Sequence, residues 1–149
     1  MLRFFRRMIR SSSYSYAFAA ATHPGKGREH NEDAYAVAAA HLTAVVADGM
    51  GGLARGEVAS QIAVETIAEL FVDTGQDEEI TWPFKEDKAK PYCENLLINS
   101  VRYANLRVFE KASEDARYKG MGTTFVGMLF QDNRYYVAHV GDSRCYRVR

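Results

Sequence analysis

The residue types that could do chemistry concentrate between Arg28 and Gly52. Glu32 and Asp33 close a polar segment, and Asp48 follows directly on an apolar one. Carboxylate oxygens suit a hard cation such as Mg²⁺ or Mn²⁺ rather than a structural zinc. This stretch is therefore the first candidate for a functional site.

The elements around these carboxylates determine whether they meet. Residues 34–40 and 42–47 are short apolar runs that predict two adjacent strands. In an antiparallel hairpin centred near His41, Asp33 lies opposite Asp48. Like charges at opposed strand positions, with Cβ atoms roughly 4.5–5.5 Å apart, repel each other, and a divalent cation is the simplest compensation. Merely solvated strand ends are the alternative, and the residues alone leave both open.

Arg28 and a glycine-rich loop extend the candidate site. A guanidinium can bind phosphate oxygens in bidentate fashion, although a lone arginine is more often a surface residue. Residues 49–52 (GMGG) let the backbone approach an ion, so that the Gly49 carbonyl could coordinate it. Residues 49–54 also match a dinucleotide-binding GxGxxA turn. That interpretation is not favoured, because residues 73–80 are polar where a parallel strand is required.

The rest of the pattern predicts strands and two helices. Residues 73–90 are charged, contain Trp82 and Pro83, and indicate a surface connection. Strands followed by two helices and then strands again indicate an α+β fold, with the helices packed on a mainly antiparallel sheet. Further strands are predicted over residues 13–22, 123–130, 135–140 and 144–148, and helices over residues 57–71 and 92–113.

Composition narrows the function classes. The chain has 149 residues, of which 47% are hydrophobic, and 19 Lys+Arg balance 19 Asp+Glu. Without a net basic field, nucleic acid is not an expected partner. Cys93 and Cys145 lack zinc-ligand spacing and fit a reducing, cytoplasmic location. No run reaches the roughly 20 apolar residues of a membrane span, so one soluble domain is expected.

Residues 1–12 are expected to form a basic head ahead of the domain formed by residues 13–149. If residues 2–10 were helical, their arginines would lie opposite an apolar side, which would allow contact with a membrane surface. So short a helix is unstable in isolation, and a frayed terminus is the favoured interpretation. The arginines of the head are Arg3, Arg6, Arg7 and Arg10.

Three motif blocks follow one another along the chain. They are residues 27–34 (GREHNEDA), residues 46–52 (VADGMGG), and residues 121–124 (MGTT) running to residues 140–144 (VGDSR). In this order they resemble the metal-dependent protein serine/threonine phosphatases of the type 2C family, in their bacterial form. The resemblance runs from about Tyr16 to the last residue. It implies two antiparallel sheets in a sandwich flanked by helices, a four-layer α/β/β/α arrangement with a two-metal centre at one end.

The resemblance also implies a role for each matching residue. Asp48 would bridge two metal ions, and Arg28 would grip the phosphoryl oxygens as a catalytic residue. Asp142 would match the acidic residue at an additional metal in bacterial members. The complete set of implied metal ligands consists of four carboxylates and one carbonyl: Glu32, Asp33, Asp48, Gly49 and Asp142.

The implied reaction is hydrolysis of phosphoserine or phosphothreonine in proteins by a water that Mn²⁺ or Mg²⁺ activates, with two or three ions in the complete site. Phosphoproteins would be the substrates, and a cognate kinase a further partner. Met50 stands where some family members carry histidine, which points to the bacterial subtype. The family's C-terminal Ser-Asp-Gly and Asp-Asn motifs are not found in the expected places. The chain is therefore expected to be a fragment of a longer protein rather than the alternative, a naturally shortened chain with a weakened metal site. A non-catalytic phosphopeptide-binding or regulatory module is the alternative.

Overall fold

The computed structural model describes residues 3–10, 15–38, 43–52, 55–74, 83–131 and 133–149. Within these ranges strands precede two long helices, and strands follow them. A short 3₁₀ turn, Ala116–Tyr118, links the second helix to the later strands. The elements are β1 (Arg3–Arg10), β2 (Ser15–Thr22), β3 (Asp33–Ala38), β4 (Thr43–Met50), α1 (Arg55–Thr74), α2 (Tyr92–Glu114), β5 (Gly122–Thr123), β6 (Phe125–Gln131) and β7 (Arg134–Val140).

The larger sheet is antiparallel and runs in the order β3-β4-β6-β7, with β5 paired to the end of β4. Side chains alternate between its two faces because a strand has a period of two residues. On β4, Val45 and Ala47 are buried, whereas Val46 and Asp48 are exposed. The predicted hairpin of residues 34–40 and 42–47 is confirmed, although its turn lies outside the described residues.

Both helices pack against the buried face of this sheet. The predicted helices over residues 57–71 and 92–113 are confirmed, and α1 begins two residues earlier than expected, at Arg55. Among the described residues, neither helix is both long enough and apolar enough to cross a membrane. The main core joins strand and helix side chains and includes Val45, Ala47, Val64, Ile67, Phe71, Leu96, Leu97, Phe125 and Leu129.

A second sheet, formed by β1 and β2, packs on the larger one through aromatic rings. In β2, the ring centroids of Tyr16 and Phe18 lie 5.1 Å and 6.3 Å from that of Phe130 in β6. The predicted α+β class, with antiparallel sheets and helices, is confirmed. Within the described residues, these ring contacts join the two sheets face to face, as in the predicted sandwich. The complete four-layer arrangement stays a prediction.

The interpretation of residues 2–10 as a frayed terminus, or as a helix, is wrong. Residues Arg3–Arg10 form β1, which pairs antiparallel with β2 from Arg3 opposite Thr22 to Arg10 opposite Ser15. The pairing runs along the whole segment and supplies alternate residues of β1 with backbone hydrogen-bond partners, whereas an isolated helix of this length is not stable in water. The membrane-surface contact suggested for this segment rested on that helix.

The strand predicted over residues 144–148 is also not formed, since residues 143–149 have no ladder partner among the described residues. Aromatic and β-branched residues favour a strand only where a neighbour pairs with it. Arg147 instead donates from Nη1 to the Tyr135 hydroxyl at 3.2 Å. The central part of the predicted connection over residues 73–90 lies outside the described residues, and α1 extends into its start as far as Thr74.

Candidate metal centre

The hairpin register places two carboxylates opposite each other at the end of the larger sheet. Asp33 of β3 pairs directly with Asp48 of β4, as the sequence predicts. Partial burial raises the pKa of Asp33 above its ordinary value, and the charge and hydrogen bonding of Asp48 raise it further, while Arg28 opposes the shift. Ionising both carboxylates is therefore unfavourable in the absence of a cation.

Glu32 adds a buried oxygen that lacks a partner. Its Oε1 has no hydrogen bond within the described residues, and its Oε2 lies 3.6 Å from Arg28 Nη1. A Cβ on Gly56 would lie 2.5 Å from Glu32 Oε1, so the missing side chain of Gly56 provides the space for this carboxylate. A buried carboxylate oxygen without a donor is the type of group that a cation would satisfy.

The start of α1 holds in place the acidic segment, which consists of Glu32 and Asp33. Ser60 Oγ donates to the Glu32 carbonyl at 2.6 Å, and the Gly49 N–H donates to the same carbonyl at 3.0 Å. A Cβ on Gly49 would overlap the Gly56 carbonyl, so the two backbones are in direct contact. Sequence reasoning missed Gly56 and Ser60, and small residues in the first turns of the helix were the only available signal.

Asp48 is anchored from its other side by Thr124. The Asp48 N–H donates to Thr124 Oγ1 at 3.0 Å, and the Thr124 N–H donates to the Asp48 carbonyl at 2.8 Å. Thr124 Oγ1 also lies 2.6 Å from Ser143 Oγ, beside the exposed Asp142. Sequence reasoning quoted Thr124 within a motif block but gave it no role.

The structure brings some of the predicted ligands together and leaves others apart. Asp33 and Asp48 face each other, Glu32 is the neighbour of Asp33, and Gly49 donates to Glu32. Asp142 is linked to this group through the next residue, Ser143, whose Oγ lies 2.6 Å from Thr124 Oγ1. Within the described ranges, no three His, Cys, Asp or Glu side chains converge closely enough to hold a metal. The ligand roles of these residues therefore stay predictions.

A cavity of about 710 Å³ lies next to α2 and β5. Val108, Phe109 and Met121 contribute to its mainly apolar lining, and its charged lining residues are basic. Met50, two residues after Asp48 on β4, also lines this cavity, so the apolar lining extends to the end of the strand that carries Asp48. Because none of the described residues that line the cavity is acidic, the carboxylate pair is the better candidate for a metal centre.

Comparison with known proteins identifies the family of this chain. The family model described as Protein phosphatase 2C matches residues 21–149. The serine/threonine protein phosphatase PstP of Mycobacterium tuberculosis is 39% identical over 132 residues, which cover 89% of this chain and 23% of PstP. Protein phosphatase PhpP of Streptococcus pneumoniae is 32% identical over 131 residues, which cover 86% of this chain and 48% of PhpP.

Solved structures show the same likeness. The crystal structure of the PstP catalytic domain in complex with two manganese ions has a TM-score of 0.63 and 31% sequence identity, covering 96% of this chain and 49% of that one. This chain therefore spans half or less of the length of these relatives. Because the family model matches most of the sequence and these relatives agree with it, the chain belongs to the protein phosphatase 2C family.

Proposed function

We propose that this chain carries part of the active site of a metal-dependent phosphatase that removes phosphate from phosphoserine and phosphothreonine in proteins. The observation that carries the proposal is the opposed pair of carboxylates, Asp33 and Asp48, beside the buried Oε1 of Glu32, which has no hydrogen-bond partner among the described residues. Family membership and the manganese ions in the related PstP structure support it. Residues 13–149 would form the N-terminal portion of the catalytic domain.

The donor set fits Mn²⁺ or Mg²⁺. Asp33, Asp48 and Glu32 offer carboxylate oxygens, the Gly49 carbonyl offers a further hard ligand, and Asp142 would serve an additional ion. When bound, such ions polarise phosphoryl oxygens and lower the pKa of a water that attacks phosphorus. The chain itself supplies the fixed positions: α1 and Thr124 hold the backbone on both sides of the acidic groups.

Arg28 would bind the phosphoryl group of the substrate. Its side chain is 65% exposed and is joined to Glu32 by a single weak ion pair, so most of the guanidinium fork faces solvent. Five N–H donors in a fixed plane match the oxygens of a phosphate monoester. Arg28 would thus orient the phosphoryl group toward the carboxylates. Phosphoproteins of the cytoplasm would be the substrates, with a kinase that makes them as a further partner.

Phosphate release from a phosphothreonine peptide tests this function. The 149-residue chain is assayed with Mn²⁺ beside D48N and, as a matched loss of one negative charge on the exposed surface of α2, E110Q. Turnover is expected in the wild type and E110Q. In D48N turnover should fall further, because Asp48 is itself a proposed ligand. Loss of a group that only supports a ligand already costs about 10–100-fold.

Equal turnover in D48N would contradict the role of Asp48. A folded chain that binds Mn²⁺ without any turnover would contradict catalysis by these residues alone and would favour the phosphopeptide-binding alternative. Circular dichroism of each variant separates loss of function from loss of fold.

A further inference from the structure

Two hydroxyl groups, those of Thr124 and Ser143, connect the strand that carries Asp48 to the turn that carries Asp142. Thr124, only 3% exposed, accepts the Asp48 N–H on Oγ1 at 3.0 Å. The same Oγ1 lies 2.6 Å from Ser143 Oγ. A continuous path of hydrogen bonds thus runs from the backbone of Asp48 through Thr124 to Ser143.

The turn after β7 is seated on Thr124. Gly141 has a φ of +96°, a conformation that suits glycine, and a Cβ at this position would lie 2.8 Å from Thr124 Cγ2. His139 Nε2 donates to the Ser143 carbonyl at 2.6 Å. Ser143 is therefore held through both its carbonyl and its hydroxyl, which fixes the position of the neighbouring Asp142 backbone.

We propose that Ser143 is a positioning residue that acts through Thr124 to hold Asp48 and Asp142 in a fixed relation to one another. The inference rests on the proposed function in so far as both carboxylates serve metal ions. Groups that orient metal ligands from behind affect affinity strongly although they never touch the ion. Without the Ser143 hydroxyl, the Thr124 side chain loses the partner that selects the rotamer accepting the Asp48 N–H.

Amide hydrogen exchange of the metal-free chain tests this link directly. In S143A the exchange of the Asp48 N–H is expected to accelerate about tenfold, because its acceptor is no longer held, while the Val45 N–H on the same strand keeps its rate. S143T retains a hydroxyl and should restore slow exchange. The matched control is S113A, which removes a hydroxyl that donates to the Phe109 carbonyl at the end of α2.

Mn²⁺ titration of the same variants gives the second readout. S143A should bind Mn²⁺ about tenfold more weakly than the wild type, and S143T and S113A should bind it like the wild type. The thermal midpoints of metal-free S143A and S113A should agree, which separates positioning from general destabilisation.

The proposal fails if exchange at Asp48 in S143A is no faster than in S113A, if all amides of β4 accelerate together, or if S143T does not restore the slow rate. It also fails if S143A binds Mn²⁺ as tightly as the wild type. A wild-type chain that does not bind Mn²⁺ would instead contradict the metal site proposed for this chain. The exchange rates would then still report whether Ser143 holds Asp48.

Discussion

The opposition of Asp33 and Asp48 costs the metal-free protein stability. A β-sheet gains little from two carboxylates at directly opposed positions, and burial adds to the cost by raising the pKa of Asp33. Arg28 lowers that pKa in part but remains mostly in solvent. Functional sites commonly contain such unfavourable interactions, which lower the stability of the folded protein.

The D33N variant should therefore be more stable than the wild type without metal, by roughly 0.2–1 kcal/mol at neutral pH, the range for one cross-strand pair. Its Mn²⁺ affinity should fall, because a neutral amide is a poorer ligand than a carboxylate. Urea unfolding with a chelator and calorimetric Mn²⁺ titration measure the two effects. A D33N chain that is less stable without metal would contradict the repulsion.

The pH dependence follows from the raised pKa of Asp33. The folded state binds this proton more tightly than the unfolded state, so stability falls as pH rises from the ordinary pKa of the aspartate through its raised value. Below the ordinary pKa both states are protonated and the penalty disappears. The stability difference between D33N and the wild type should thus be small in acid and open as pH rises through that interval, which urea unfolding at several pH values would show.

At the scale of elements, the first turns of α1 form the support of the acidic segment. Helix propensity alone favours alanine over glycine by up to about 1 kcal/mol. At Gly56, however, a Cβ would lie 2.5 Å from Glu32 Oε1 and 2.7 Å from the Gly49 carbonyl carbon. The Gly49 backbone cannot move away from a Cβ at Gly56 without disturbing the contact between α1 and β4.

The G56A variant should consequently be destabilised by about 1–3 kcal/mol, the usual cost of overpacking, in spite of its better helix propensity. The matched control is G27A, since a Cβ on Gly27 meets no atom within 4 Å. Thermal unfolding of the two variants compares them. Stabilisation of G56A would show that propensity outweighs the contact and that Gly56 does not shape the carboxylate site.

An element or contact can be predicted from the sequence when the residues that determine it lie close together along the chain. The register of β3 and β4 follows from two short apolar runs around one turn, so the opposition of Asp33 and Asp48 was accessible from the sequence. The contact of Asp48 with Thr124 joins residues 76 positions apart, and no local periodicity encodes it. The same holds for β1, whose strand state depends on its pairing with β2.

On the scale of the whole molecule, the larger sheet separates two environments. One face packs on α1 and α2 and forms the core, while Asp48 is exposed on β4 between the buried Ala47 and Gly49. The candidate site draws on the acidic segment, β4, the start of α1 and the strands around Thr124. Because these segments are distant in sequence, the site exists only when the sheet and helices have assembled.

The chain spans 23% of PstP and 48% of PhpP, so the activity of the whole protein remains a proposal. What this chain contains is the opposed carboxylate pair, the buried Glu32 oxygen and the backbone supports around them. Metal affinity is the property that depends most directly on these groups.

The most direct measurement is a calorimetric Mn²⁺ titration of the 149-residue chain beside D48N and E110Q. The proposed site predicts that the wild type and E110Q bind Mn²⁺ alike, and that D48N loses at least about tenfold in affinity. Binding in D48N that equals the wild type, or a folded wild type that binds no Mn²⁺, would contradict a metal centre built on Asp48.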